Sequence, residues 1–463
     1  MRIWPTKRTW KRIGLGLLIL VAIALIANGI MAWRTESQWQ GRIAAIRAAG
    51  DPASIADLAP KPISASENGA AALAKLGTRL EEFGKDNWRF LDKTPLGQDY
   101  DKRGDRGKPA TAEQIAAIRK ILDKYPDIDT GLATAAACGK YASLADYSLD
   151  HVKLLEAYFV QMSRFRTASR FLSWRMEVLV AEGKQEKAVA LGIEMLQLAR
   201  EYDHEPATVN MLMATAVRGI AATSLYDALA AGPVSPEVHA ALDRELVLDD
   251  DPQRMVWTLK SERAYDIDSM LELPQSLAAA GAEDSQPPGW LVHMFGWTAK
   301  RFFAGSLDYL DDEIASAARR ASSGLQGVER HQIPDSSEHG VGAELMIPAM
   351  QAAFDTDARG TAMVRALRIF NALRVFAEKN GREAKGLDEL GLPNEATIDP
   401  FDGKPLKLKH TDKGWVVYSV MLNGVDDGGD FMELKDYGVA PRGFRLTENP
   451  GSSENDNEPK ADQ

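Results

Sequence analysis

A single cysteine, Cys138, stands in a chain of 463 residues, which excludes an intramolecular disulfide and any multi-cysteine zinc site. It follows the small-residue run 133–137, the setting of a buried, inert thiol rather than of a nucleophile. Catalytic signatures are missing too. There is no Walker A lysine loop, no G-x-S-x-G elbow and no H-E-x-x-H. The G-x-G at Gly14 and Gly16 falls in an apolar segment that cannot serve a nucleotide-binding turn. Carboxylates are too numerous for one pair to be singled out, so no residue is assigned a catalytic role. Positive charge is also short: 55 Lys and Arg face 66 Asp and Glu, a net charge of −11, and without five cations of the N-terminal leader the balance is −16. Phosphate recognition needs clustered Lys and Arg, so this balance argues against nucleic acid as a partner.

Long apolar runs number one. Residues 13–33 are apolar except for Asn28, and they follow a leader carrying Arg2, Lys7, Arg8, Lys11 and Arg12. At about 1.5 Å per helical residue this run spans the roughly 30 Å hydrocarbon core of a bilayer. The basic leader predicts a cytoplasmic N-terminus, with everything after Arg34 periplasmic or otherwise extracytoplasmic: a single-pass protein of the inner membrane. The alternative is a cleaved signal peptide, for which Ala27 and Gly29 offer the small residues. The run exceeds an h-region of about 7 to 15 residues, and Trp33 with Trp39 reads as an interfacial aromatic belt, so an anchor is expected. A second aromatic stretch, 290–303, is interrupted by His293, Lys300 and Arg301 and reads as a core helix, the alternative being a helix lying on the membrane surface.

The rest is patterned as helices. Residues 36–49 continue the membrane helix up to Pro52, and 68–83 form a second helix. Residues 92–109, rich in Gly, Pro and charge, read as a loop. Thr111 and Gln114 have capping-box spacing before Ile115, Ile118 and Leu122. Leu154, Tyr158, Met162, Phe165, Leu172 and Met176 recur at helical steps until Gly183, and two more helices follow over 185–202 and 206–229. Ala181, Gly183 and Ala188 resemble the turn of a tetratricopeptide repeat, but without a second copy the segment is a lone hairpin. Ser235-Pro236 opens a further helix, and Asp249, Asp250 and Asp251 before Pro252 mark its end rather than a metal site. Arg164, Arg166, Arg170 and Arg175 are either solvated or paired with acids elsewhere, or an anion-binding face that includes Arg166 and Arg170. Residues 281–288 and 332–342 read as polar breaks. Glu329, His331, Glu338 and His339 gather at the second in no recognised metal spacing; the other histidines have no evident partners.

After 361 the character changes. A helix over 361–379 stops at Asn380-Gly381, where glycine can turn left-handed. Asp402-Gly403 and Lys413-Gly414 are turn signals around Leu406, Leu408 and the strand formers 415–420, which predicts a small antiparallel sheet packed on that helix. Gly386-Leu387, Asp399-Pro400-Phe401, Tyr418-Ser419 and the acidic loop 423–430 occur in the order found in the globular head of type II secretion pseudopilins. Residues 361–430 resemble that head. The chain lacks the glycine-glutamate cleavage site of a prepilin, and it has Asn423 where the family has aspartate, Met421 where it has glycine, and one extra residue before Gly428. The resemblance implies a calcium site, for which Asn423, Asp426, Asp427 and Asp430 supply oxygen donors.

The expected fold is mainly α: leader 1–12, transmembrane helix 13–33, helical domain 34–276, linker and further helices 277–360, pseudopilin-like α+β module 361–446, and a disordered acidic tail 447–463. The expected role is an interaction or scaffold protein of a bacterial envelope, contacting the lipid bilayer through 13–33 and an envelope protein elsewhere. The alternative is an anchored hydrolase or small-molecule-binding protein with its site in the helical domain, near Arg166, Arg170 or the loop of His331 and His339.

Overall fold

A computed structural model describes residues 7–103, 108–149, 151–280, 289–322, 336–431 and 435–444. The acidic tail, the 281–288 break, Glu329 and His331 lie outside them. The described chain is mainly helical with one small antiparallel sheet. It divides into two compact units: Met1–Leu58, Leu259–Ile314 and Pro334–Ala349 form the first, and Ala59–Thr258, Ala315–Ile333 and Met350–Gln463 the second.

In the first unit, α1 (Lys7–Ala48) runs 42 residues, roughly 60 Å, so it outlasts a bilayer. It is the one described helix long and apolar enough to cross a membrane. Its span leaves Leu15, Leu18 and Ile26 more than 60% exposed, whereas one end buries Trp39, Ile43 and Ile46. Only the first set is exposed. The aromatic stretch 290–303 lies on a helix, and the Trp297 indole donates to Asn28 Oδ1 at 2.8 Å, which gives the lone amide of the apolar run a partner. Past the span, Arg42 bonds Asp308 and Asp311, both at 2.6 Å.

The second unit starts with α2 (Gly69–Lys75) and α3 (Gly77–Lys93), one expected helix broken at Leu76. The expected loop after it contains α4 (Pro95–Lys102), with Thr94 Oγ1 accepting from Gly97 N and proline in the first turn. That signal was present in the sequence and was outweighed by the local density of Gly, Pro and charge. The capping box at Thr111 forms and opens α5 (Ala112–Leu122). After α6 (Pro126–Ala137) come α7 (His151–Ala181), α8 (Gln185–Tyr202) and α9 (Thr208–Ala231). Gly183, at φ 71, breaks α7 from α8 as expected. Gly192 of α8 lets Leu225 of α9 approach so closely that a Cβ would lie 2.3 Å from it. α10 (Pro236–Asp249) starts at Ser235-Pro236, but the Ser235 side chain makes no cap; its amide donates to Glu186 instead. Cys138 is half-buried rather than buried, with Sγ donating to Thr134 O.

α11 (Arg254–Ala280), α12 (Gly289–Ser322) and α13 (Ser336–Asn380) follow. The last corrects two expectations. It starts 25 residues before 361 and places His339 and Glu338 on a helix, not in a loop, and it accommodates Pro348 internally. Its end is as expected, with Gly381 at φ 65 and its amide bonded to Ala377 O. β1 (Lys407–Thr411), β2 (Gly414–Ser419) and β3 (Tyr437–Val439) pair antiparallel in that order. Leu406, Val417 and Val439 join one apolar core with Leu172, Leu225 and Phe370. Tyr226 of α9 donates to Trp415 O at 2.6 Å and stacks on Phe370 at 4.1 Å, so the sheet rests on α9 as well as on the expected α13.

That core encloses ions. Arg218, fully buried, donates to Asp249 at 2.9 Å and also pairs with Asp203. Arg254 bridges Asp203 and Asp357, and Arg365 clasps Asp250 while donating to Ile398 O at 2.7 Å. The acidic run 249–251 is thus a helix end, as expected, and two of its members are held by arginines from other helices.

Candidate functional site

A groove of about 790 Å³ in the second unit lies between α10, α13 and the segment after Gly386. Its walls include Ala240, Ala372, Val375, Phe376, Leu390 and Leu392, and its polar groups include His239, Asp243, Asn371 and Glu378. Helical geometry positions them. His239 and Asp243 are four residues apart on α10, and so share a face. On α13, Asn371, Val375 and Glu378 repeat at steps of four and three.

His239 is 3% exposed. Its Nδ1 is 2.7 Å from Asn371 Oδ1, and Asn371 Nδ2 donates to the His239 carbonyl at 3.1 Å. A carbonyl can only accept, so the amide orientation is set: Oδ1 faces the ring and Nδ1 carries the proton. In the neutral ring Nε2 is then a lone-pair acceptor. It is buried without a hydrogen-bond donor, and Glu378 Oε2 stands 3.3 Å away. Two acceptors therefore converge at the groove wall, and they attract each other only if a proton or another cation lies between them.

The neighbouring carboxylates are already committed. Asp243 accepts from Arg368 at 2.7 Å, and Glu389 from Arg382 at 2.9 Å, which holds the Glu389 carboxyl below its usual range. Glu378 is held more loosely, 3.6 Å from Arg374. None of the lining residues is Ser, Thr or Cys, so a hydroxyl or thiol nucleophile has no candidate among them. A second cavity, about 430 Å³ between α5, α7 and α9, carries Glu177, Asp227 and Arg442. Arg442 pairs with both acids and Tyr100 donates to Glu177 at 2.7 Å, so these charges satisfy one another. Burial, countered by Arg442, leaves the Asp227 carboxyl pushed up to about 6.

The residues singled out from sequence stand elsewhere. Arg166 and Arg170 are exposed on α7 and line neither cavity. Arg175 bonds Asp129 at 2.6 Å. In the acidic loop, Asn423 donates to Asp427 at 2.7 Å, Asp426 accepts from Tyr418 at 2.8 Å, and Asp430 accepts from Lys435 at 3.2 Å. Beneath them lies a carboxylate that the sequence reading missed, the fully buried Asp436, which accepts from Gly429 N and Asp430 N. Among the described residues no group of three or more His, Cys, Asp or Glu is placed to hold a metal ion. His239 was equally unflagged, because its partners lie more than 130 positions away and no local signal links them. No family model, no curated protein and no solved structure matches the chain.

Proposed function

We propose that this chain is an anchored protein of the bacterial envelope, N-terminus in the cytoplasm, whose extracytoplasmic helical unit binds a small molecule in the His239 groove. The observation that carries this is the convergence of His239 Nε2 and Glu378 Oε2, 3.3 Å apart, on an apolar groove of about 790 Å³. Binding sites are typically concave and apolar with a few convergent polar groups. Two converging acceptors select a donor, so the ligand class is an ammonium or other N–H cation with an apolar body that packs on Val375, Phe376, Leu390 and Leu392.

The test is calorimetric titration of the full chain in nanodiscs with phenethylammonium and, as the opposite charge, phenylacetate. Phenethylammonium is expected to bind, and Glu378→Gln to weaken it by about tenfold or more, the worth of one charge-assisted hydrogen bond. Equal binding of both probes, or an unaffected Glu378→Gln, overturns the reading.

A second reading, an interaction or scaffold role, draws on the C-terminal module. Met421, standing where pseudopilins have glycine, takes φ 53, and Gly424, Gly428 and Gly429 also take positive φ. That curled backbone sets Asn423 beside Asp427, 2.7 Å apart, which is the support for the proposed calcium site, a site that Asp426 and Asp430 would complete only by moving in on the ion, and for a pseudopilin-like contact with an envelope partner. Calcium is then expected to raise the melting temperature relative to chelator, and Asp427→Ala to abolish the shift. Superimposable melting curves with and without calcium sink the proposal.

A further inference from the structure

A groove of about 360 Å³ lies between α2, α3 and α7, away from the residues of the His239 site. Leu73, Ala74, Leu144, Val160 and Phe165 make it apolar, and Arg164 is its one charged residue. Leu144 and Val160 are more than half exposed, so the apolar surface continues to the rim.

Arg164 sets the charge at one end. The Arg164 guanidinium packs on Gly77, the first residue of α3, so tightly that a Cβ there would lie 3.0 Å from Cζ. The first turn of α3 has no acidic residue, and Leu76 before it offers no side-chain cap. α2 ends where α3 begins, at Leu76, so the opposed helix-end dipoles offset each other and the guanidinium is the positive group at this spot. The nearest compensation is Glu81, 58% exposed and 3.4 Å away, while Arg164 Nε is buried without a partner. A monoanion there is favoured by the guanidinium, whose fork matches a carboxylate.

We propose that this groove binds a single-chain amphiphile with a carboxylate head, the carboxylate at Arg164 and the chain along Leu73, Ala74, Val160 and Phe165. One guanidinium matches one carboxylate fork. The volume suits a single short chain.

The full chain in phosphatidylcholine nanodiscs is titrated calorimetrically with octanoate, octanol and octyltrimethylammonium, with empty discs subtracted. Octanoate is expected to bind at least tenfold more tightly than the cation. Arg164→Gln is expected to reduce octanoate affinity about tenfold and leave octanol unchanged. Ala157→Phe, which fills the groove, removes both, with an unchanged melting curve reporting an intact fold. No heat beyond empty discs, octanoate binding indifferent to Arg164→Gln, or binding retained in Ala157→Phe overturns the proposal. None of these outcomes depends on the His239 groove.

Discussion

Replacing Arg218 by methionine is expected to lower the unfolding free energy by about 3–5 kcal/mol, the usual cost of removing one partner from a buried ion cluster. Arg218 has no exposed surface and serves two carboxylates, Asp249 at 2.9 Å and Asp203. Methionine fills much of the volume but leaves Asp249, itself fully buried, with one arginine fewer beside it. Burial already raises the Asp249 carboxyl to about 6 despite Arg218 and Arg254. Without Arg218 that carboxyl must take up a proton or stay uncompensated, and both cost stability. Urea midpoints and slopes of wild type and Arg218→Met are the measurement, read transition by transition because the chain has two units. Adding Asp249→Asn should recover part of the loss, since the uncompensated charge is then gone. A single-variant loss under about 1 kcal/mol would falsify the assignment of this cluster as a central clamp.

Glu201→Gln is expected to do the reverse, and only at high pH. Glu201 is 4% exposed near the end of α8, and burial pushes its carboxyl up to about 7, with the charge of Glu245 adding to this while Arg200 and a bond from the Gly139 amide oppose it. It packs against Gly69, whose Cβ, were there one, would lie 2.4 Å from Oε2. The folded value lies above the ordinary one of 4.5, so the fold holds a proton that the unfolded chain releases. The stability associated with that proton is complete below about pH 4.5 and is lost as pH rises towards 7. At 1.36 kcal/mol per unit, the wild type forfeits on the order of 3 kcal/mol by pH 8. Glutamine keeps the shape and has no proton to lose. The variant should match wild type near pH 4.5 and exceed it by about 2–3 kcal/mol at pH 8. Denaturation at both pH values measures this, and an identical difference at the two would show that Glu201 is already solvated and charged in the fold.

The legible features share one property: each depends on neighbours within a turn or two. The apolar run on α1, the capping box of Thr111 and Gln114, the left-handed Gly183 and Gly381, and the Lys413-Gly414 turn between β1 and β2 are all local. Where local signals competed, the reading erred. Residues 95–102 were masked by surrounding Gly and Pro, and the 45-residue α13, which also holds Pro348, was cut short because the polar run 332–342 looks like a break. A single proline costs a helix about 3 kcal/mol, which packing such as that of Met350, Ala353 and Phe354 can outweigh.

The site residues divide in the same way. The arginines of α7 were visible as a periodic set, yet which of them is paired, exposed or turned into a groove depends on α3 and α6, through Glu81 for Arg164 and Asp129 for Arg175. His239 reads as an isolated histidine until α13 brings Asn371 and Glu378 to it.

By itself, then, the sequence determined a long apolar helix at the N-terminus, a mainly helical chain, the caps and turns that end its elements, and a small C-terminal antiparallel sheet, because hydrophobic periodicity and backbone preference act over a few residues. Only the tertiary structure decided the Arg218 clamp, the raised carboxyl of Glu201, the His239 groove and the Arg164 groove. Each of these depends on burial and on charges carried by distant segments, and solvation and Coulomb energies are functions of position in space rather than of order along the chain.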